Sequence, residues 1–598
     1  MLSSPLPSNA ALTEYSQTVD WQEIERQKRI FNQMLKDHAG EESLPLAAMS
    51  EALGAPVKLY YEAPVNGANV VLGHVNGHPY VLGSAVSKRY RSGKSFMQSI
   101  VPYNLNPSVN HTNIGETDNP GTRMRALGAE IELGLLHRDG RPPSEAEMQQ
   151  YMRTYQDHAR RLGITPHVDR EACQYQIETH IAPSVGYYKT RNALQGIMTA
   201  LMLTCDETGL QTAIMSSYPT ESDFHLTEDP KVQTAVDLMT QVNAHFPEYV
   251  ERLAAAQQRY FVGPDSLNVV QMFRIHGCHI HLDLAGRSEA LGLLTFYTML
   301  RSATAAANAA VLKGGPFVNG TCDSELLCTR EYLRRTTVTG RYLEMPISPH
   351  FTAGGLEKYA GLLLNERANS TGRAMLCEEG LGEPISAMHN GVGRVRSDLQ
   401  TSRRICTVES TGMPANLSPA RMAAVLTDFE FSHAVIEQYF RKYGCDLEPM
   451  YNDRAMWSVL GPLDSALFAQ LHDLSDRQCS DMLLRTATGE QISLAEFYEK
   501  KRRFMHRALD DVMEITPRDI DDVYTSLTRM MEPPSGHAAQ TIEQFIYDPK
   551  LKSTGNWGRI MRDAFVAEGG TPGKHEPDAV LKVVNRINDA LRVRFLQT

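Results

Sequence analysis

Four short stretches of this chain alternate a polar, mostly metal-binding side chain with an aliphatic one: Glu130-Ile131-Glu132, Gln176-Ile177-Glu178, His279-Ile280-His281 and Thr407-Val408-Glu409. A period of two is the signature of a β-strand, because successive Cβ atoms leave opposite faces of the sheet. Each stretch therefore presents its polar residues on one face and its aliphatic residues on the other. Two carboxylates side by side repel each other unless a positive charge sits between them, and a divalent cation commonly fills that role. One acidic i, i+2 pair is an ordinary solvated strand. Four such segments in one block indicate a sheet with helices on one face and a polar, cation-binding cavity on the other, since a merely solvated sheet surface more often carries Lys and Thr.

The surrounding pattern supports alternating strands and helices. A strand over residues 126–135 is followed by the capping box Ser144-Glu145-Ala146-Glu147, which opens a helix that stops before Gly163. Helices are expected over 189–206 and 230–258, then a strand within Phe273–Leu284 on which His279, His281 and Asp283 share a face. A long helix begins at Ser288 and stops at Gly314-Gly315; a strand covers Ile405–Ser410, and Ser418-Pro419 opens a helix running to Gly444. Ahead of this block lie a helix over 20–36 and a hairpin, Ala68–Val75 with His78–Leu82, turned by Asn76-Gly77. Behind it the chain is mostly helical and polar, ending in an amphipathic helix over 578–595. Three regions result: an N-terminal α/β extension (1–120), a catalytic block (121–444) and a helical C-terminal region (445–598), the last an accessory domain or partner surface.

Bulk properties narrow the function classes. A chain of 598 residues exceeds one small core. Its net charge of −11 argues against nonspecific nucleic-acid binding and anionic membrane surfaces. The most apolar run, Leu293–Leu312, is broken by Arg301 and Asn308, so it reads as a buried helix and not a membrane span. The polar N-terminus shows no secretory signal, and the nine cysteines form no C-x-x-C pair, so reduced thiols in a cytoplasmic protein are expected. Arg91-Ser92-Gly93-Lys94-Ser95 ends like a phosphate loop, but Lys88 stands where its first glycine belongs, and the motif is rejected.

Several carboxylates with one histidine suit Mg²⁺ or Mn²⁺. Zinc held by His276, His279 and His281 is the alternative, although no H-E-x-x-H motif accompanies them. Cationic groups for phosphate or carboxylate are Arg330, downstream of the loop Gly314–Gly320, and Arg394 and Arg396, in Asn390–Arg396.

Taken in order, these motifs resemble those of carboxylate–amine ligases of the glutamate–cysteine ligase type, in the glutamine synthetase superfamily, over roughly residues 121–440. Gly128–Gly134 resembles that family's first acidic strand, which implies Glu130 and Glu132 as metal ligands. Glu171 and Glu178, in Glu-x6-Glu with Gln176 between them, resemble its second acidic pair. Gly277-Cys278-His279-Ile280-His281 is similar to its Gly-Cys-His-x-His strand, implying His279 near metal or phosphate and His281 beside it. Gly315-Pro316-Phe317 through Arg330 resembles a Ser-Pro-Phe loop with a later arginine, and Thr407-Val408-Glu409 a late Thr-x-Glu strand whose glutamate is the final metal ligand. One departure is clear: the family pattern continues Glu-x-Arg, and that position is Thr411.

The resemblance implies an α+β fold, with a curved, largely antiparallel sheet lining a metal and ATP cavity and backed by helices. It implies Mg (or Mn) on Glu130, Glu132, Glu171, Glu178, His279 and Glu409. ATP would be bound with Gln176, His281 and Arg330, and Arg330, Arg394 and Arg396 would act as catalytic cations. The reaction would join an amino-acid carboxylate, with the γ-carboxylate of glutamate a candidate, to an amine through an acyl phosphate, under a lid formed by residues 314–330 and 368–403. Partners would be the small-molecule carboxylate and amine, with no nucleic acid and no membrane; a homo-oligomer stays open. A same-fold amide hydrolase or phosphotransferase, and a non-catalytic nucleotide-binding scaffold, are the alternatives.

Overall fold

A computed structural model describes residues 51, 57–65, 68–75, 78–84, 101–102, 127–220, 226–228, 232, 236, 240, 247–261, 273–283, 302–337, 393–398, 405–442, 454–461, 463, 465–509, 515–531, 541–547 and 555–597. The N-terminal strands β1 (Val57–Val65), β2 (Ala68–Val75), β3 (His78–Ser84) and β4 (Val101–Pro102) form one antiparallel sheet in that order. Val75 pairs with His78, so the expected hairpin is present with two residues left for its turn. The helix expected over 20–36, the Asn76-Gly77 turn itself and the rejected phosphate loop lie outside the described residues.

The main sheet has seven strands. Its centre is β5 (Leu127–Leu136); to it belong β6 (Val168–Arg170), β7 (Gln176–His180), β8 (Gln211–Ala213) and β9 (Gly277–Asp283). After the small ribbon of β10 (Phe317–Val318) and β11 (Thr321–Cys322), β12 (Gly393–Asp398) and β13 (Ile405–Pro414) complete it. The order is β12-β13-β9-β5-β7-β6, with β8 beside the end of β5, and every pairing is antiparallel.

Alternation along β5 does what the residue types demand. Ala129, Ile131 and Leu133 are buried in the hydrophobic core, and Glu130 and Glu132 face the other way, half-buried. Helices cover the apolar face. The first, α1 (Glu145–Arg161), is opened by the expected capping box and buries Met148, Tyr151, Tyr155 and Ala159 along one stripe. It packs on α2 (Tyr187–Thr208), which ends at Gly209 in the left-handed conformation. Then come α3 (Pro247–Tyr260), α4 (Ala303–Leu312), α5 (Arg330–Arg334) and α6 (Pro419–Lys442), the last packed along α2. All ten residues of α4 are buried, as its Ala-rich sequence implies.

The C-terminal residues contribute α7 (Arg454–Leu460), α8 (Ser465–Gln478), α9 (Leu494–Ala508), α10 (Pro517–Met531), α11 (Ile542–Tyr547), α12 (Trp557–Ala567) and α13 (Pro577–Leu596). Their apolar side chains join those of the main sheet in one core. Buried polar contacts pin the two parts together. Lys501 pairs with Asp428 at 2.7 Å, and Asn588 on α13 both accepts from the Thr212 amide and donates to its carbonyl, each at 2.9 Å. Among the described residues no helix is long and apolar enough to cross a membrane.

Residues 314–330 do not form a lid. Only Ser324 and Glu325 are exposed in this stretch. The glycine pair at its start serves close packing and not mobility: a Cβ on Gly314 would strike the Trp557 ring, and Gly315, at φ 140°, lies with the Ser216 backbone 2.7 Å from where its Cβ would sit. Residues 368–392, which hold most of the second lid segment, lie outside the described residues.

Candidate metal centre

Register brings the alternating residues into rows across the sheet. Glu130 on β5 stands between His279 on β9 and His180 on β7, and Glu132 stands opposite Glu178, which in turn faces Asp169 on β6. On β13, Glu409 stands opposite His281, and Arg394 on β12 stands opposite Glu409. Residues directly opposed across a ladder point the same way and come within contact distance.

The side chains meet accordingly. Nδ1 of His279 lies 3.2 Å from Glu130 and 3.8 Å from Glu409, and its Nε2 lies 3.4 Å from Glu132. His281 Nε2 is 3.0 Å from the other Glu130 oxygen, and His180 Nε2 is 3.0 Å from Glu178. Three triads here, Glu130–Glu178–His180, Glu130–His281–Glu409 and Glu132–Glu178–His279, each hold their ligand atoms within 4.8 Å of one another. Glu409 is fully buried, and Glu171, in the loop between β6 and β7, leans on the same cluster through Glu178.

Charge in this cluster is held by protons. Burial raises the Glu178 carboxyl, helped by the negative charge of Glu130, to about 8. Glu171 is raised well above the ordinary range by burial and then by Glu132 and Glu178. Desolvation of the half-buried His279 alone would pull it down, yet Glu132 and Glu130 carry it up to about 9. Glu130 moves the other way: burial would raise it, but the hydrogen bonds and charges of His279 and His281 hold it far below the usual carboxylate range. Protons that carboxylates must take up to sit together are what a divalent cation would replace.

Gly277 is the tightest point. Its amide donates to Glu132, and a Cβ there would fall 2.7 Å from Arg330 Nη2, 3.0 Å from His279 Nε2 and 3.1 Å from Glu132 Oε2. The absent side chain is therefore what lets an arginine, a histidine and a carboxylate share one corner. Arg330 is itself buried, donating to Glu331 at 2.6 Å and to the Thr411 carbonyl at 3.0 Å. That carbonyl belongs to an extra residue on β13, where three steps from Ser410 to Met413 match two from Ile280 to Cys278. The position at which the resembled pattern carries arginine is thus contacted by an arginine from another element.

Gly277→Ala should weaken Mg²⁺ binding about tenfold or more, because crowding of this kind costs about 1–3 kcal/mol. Gly128→Ala, whose Cβ would meet only His281 at 3.8 Å, should leave binding unchanged. Isothermal titration of both variants checks this.

Other expected residues fall as follows. Gln176 is buried opposite Gly134 and donates to the Ile275 carbonyl at 3.5 Å. Arg396 is in register with Thr407. The zinc alternative fails among the described residues: His276 joins none of the ligand groups, its Nδ1 donating to the Met215 carbonyl at 3.0 Å while burial holds it down at about 4. The sequence reading did not single out three candidate ligands: His180, which shares the face of Glu178, Asp169 on the edge strand β6, and His167 just before it. The only signal for the last two was another i, i+2 pair, on a strand too short for its alternation to stand out.

No protein-family model matches the chain, and no curated protein matches it either. Among solved structures it is similar to a bifunctional glutathione synthetase from Pasteurella multocida (13% identity, 79% of this chain and 52% of that one, TM-score 0.38). It is also similar to a glutamate–cysteine ligase from Francisella tularensis in complex with AMP (10% identity, 79% and 89%, TM-score 0.41). A third is the complex between the prokaryotic ubiquitin-like protein Pup and its ligase PafA (12% identity, 77% and 72%, TM-score 0.35). The chain spans about half the length of the first of these. At such overlaps the likeness assigns no family, and any reading of function rests on the residues of the site.

Proposed function

We propose that the chain is an ATP- and magnesium-dependent ligase that joins a carboxylate to an amine through an acyl phosphate. What supports this is the convergence on one sheet face of Glu130, Glu132, Glu178, His279, His281 and Glu409, positions that the motif resemblance implies. The donor set fits a hard divalent cation, since carboxylates dominate it and two of them hold protons that a cation would displace. When bound, magnesium would neutralise the triphosphate and the charge spreading over the transferred phosphoryl group.

In this reading Glu130, Glu132, Glu171, Glu178, His279 and Glu409 hold the ions, and His281, beside Glu130, serves the nucleotide. Gln176 and Arg330 serve the nucleotide, while Arg330, Arg394 and Arg396 supply positive charge to phosphate oxygens. A substrate carboxylate oxygen takes the γ-phosphoryl group and ADP leaves. The amine nitrogen then attacks the acyl carbon, loses a proton and expels inorganic phosphate. The γ-carboxylate of glutamate is one candidate for the acid. The test is release of ADP and phosphate with Mg²⁺ over a panel of amino acids and amines. Release that requires both an acid and an amine supports the ligase; none across the panel, or amide cleavage without ATP consumption, overturns it.

A further inference from the structure

The ligand face does not end at β7. Asp169, on edge strand β6, and His167, just before it, lie next to His180, and the three residues hold ligand atoms within 4.8 Å of one another. His167 Nδ1 is 3.4 Å from Asp169 Oδ2, and the His167 and His180 rings pack with centroids 4.2 Å apart. A tetrahedral ion with bonds of about 2.1 Å holds its ligand atoms about 3.4 Å apart, so small side-chain movements suffice to collect the three. The side chains of His167 and Asp169 are 36% and 62% exposed, which leaves an approach from solvent and room for water as a further ligand.

The chemistry differs from that of the main cluster. Two imidazoles with one carboxylate favour a first-row transition ion over Mg²⁺, which prefers oxygen ligands and keeps its water. We propose that His167, Asp169 and His180 form a second site, for a zinc-like transition-metal ion, at the edge of the sheet. His180 connects it to the main cluster, because His180 also groups with Glu130 and Glu178 and its Nε2 lies 3.0 Å from Glu178. An imidazole drawn toward the edge ion is withdrawn from that carboxylate, so loading the edge site alters how the main cluster holds its own cation. None of this depends on the ligase reading.

The test uses the full chain, stripped with chelator and titrated with Co²⁺, following both the visible absorption band and the equivalents bound. His167→Ala and Asp169→Ala, both at partly exposed positions, should each bind one equivalent fewer than the wild type or bind it at least about tenfold more weakly, the loss expected even for a residue that only supports a ligand. Glu132→Gln, which touches the main cluster alone, should keep the edge equivalent and its band. Mg²⁺ affinity should differ with and without one equivalent of Zn²⁺ in the wild type, and not in His167→Ala. Identical Co²⁺ stoichiometry, affinity and spectra in the wild type and both edge variants would overturn the site. Equal Mg²⁺ affinity with and without Zn²⁺ in the wild type would overturn the link through His180. Since no ATP is used, failure here is distinct from failure of the ligase assay.

Discussion

Glu130→Gln should lower amine-dependent ADP release by a factor of about 100–1,000, the range seen when one preorganised electrostatic group is lost from an active site. Glu130 has this weight because it is shared. It accepts from His279 on one oxygen and lies 3.0 Å from His281 on the other, and it belongs to two of the ligand triads. An amide in its place carries no charge, so His279 loses the partner that helps keep it protonated and the cation loses a carboxylate. The fold itself should survive, because the substitution keeps the shape of a half-buried side chain and leaves the apolar face of β5 untouched. Asp589→Asn, which breaks only an exposed pair with Arg138, is the control and should keep the wild-type rate. A Glu130→Gln protein with full activity and full Mg²⁺ binding would remove the cluster from the mechanism.

The second large effect concerns pH. Without a divalent cation, thermal stability should fall as pH rises from 7 to 9, and saturating Mg²⁺ should cancel most of that fall. Glu178 keeps its proton to about 8 and His279 to about 9, whereas in the unfolded chain an ordinary Glu and an ordinary His are largely deprotonated above about 6.5. Both folded values are raised, so the stability these protons contribute is full at low pH and is lost as pH rises through 8 and 9. Glu171, also raised, acts in the same direction. The lowered groups Glu130 and His276 contribute fully throughout this window and add no slope. Since a cation must displace the protons, its affinity should rise by about tenfold per pH unit for each proton released. Melting curves at pH 7, 8 and 9, with Mg²⁺ or with chelator, check this; a cation-induced shift independent of pH would refute it.

The parts of the centre legible in the sequence were those carried on strands long enough to show period two. On β5 and β9 the alternation runs long enough to declare both faces, and the rows formed by Glu130, His279 and His281 follow from it. Strand β6 has three residues, too few for a pattern, so His167 and Asp169 drew no expectation. His276 entered only the zinc alternative, because it lies near His279 in sequence, but it precedes the start of β9 and its ring turns to a backbone carbonyl. Gly314 and Gly315 were ambiguous in a different way. A pair of glycines permits motion and permits close packing equally, and only the positions of Trp557 and Ser216 decide between them.

The grip of Asn588 on Thr212 has a temporal side. Translation delivers β5 and β8 early and α13 only after nearly all of the core, so on the ribosome the β8 rim waits with amide and carbonyl groups unanswered. The strands bearing His279 and Glu409 also emerge long after Glu130, so a nascent chain holds half of a binding face for much of its synthesis. Any ion held by the full cluster would therefore be captured only after the strand bearing Glu409 has emerged.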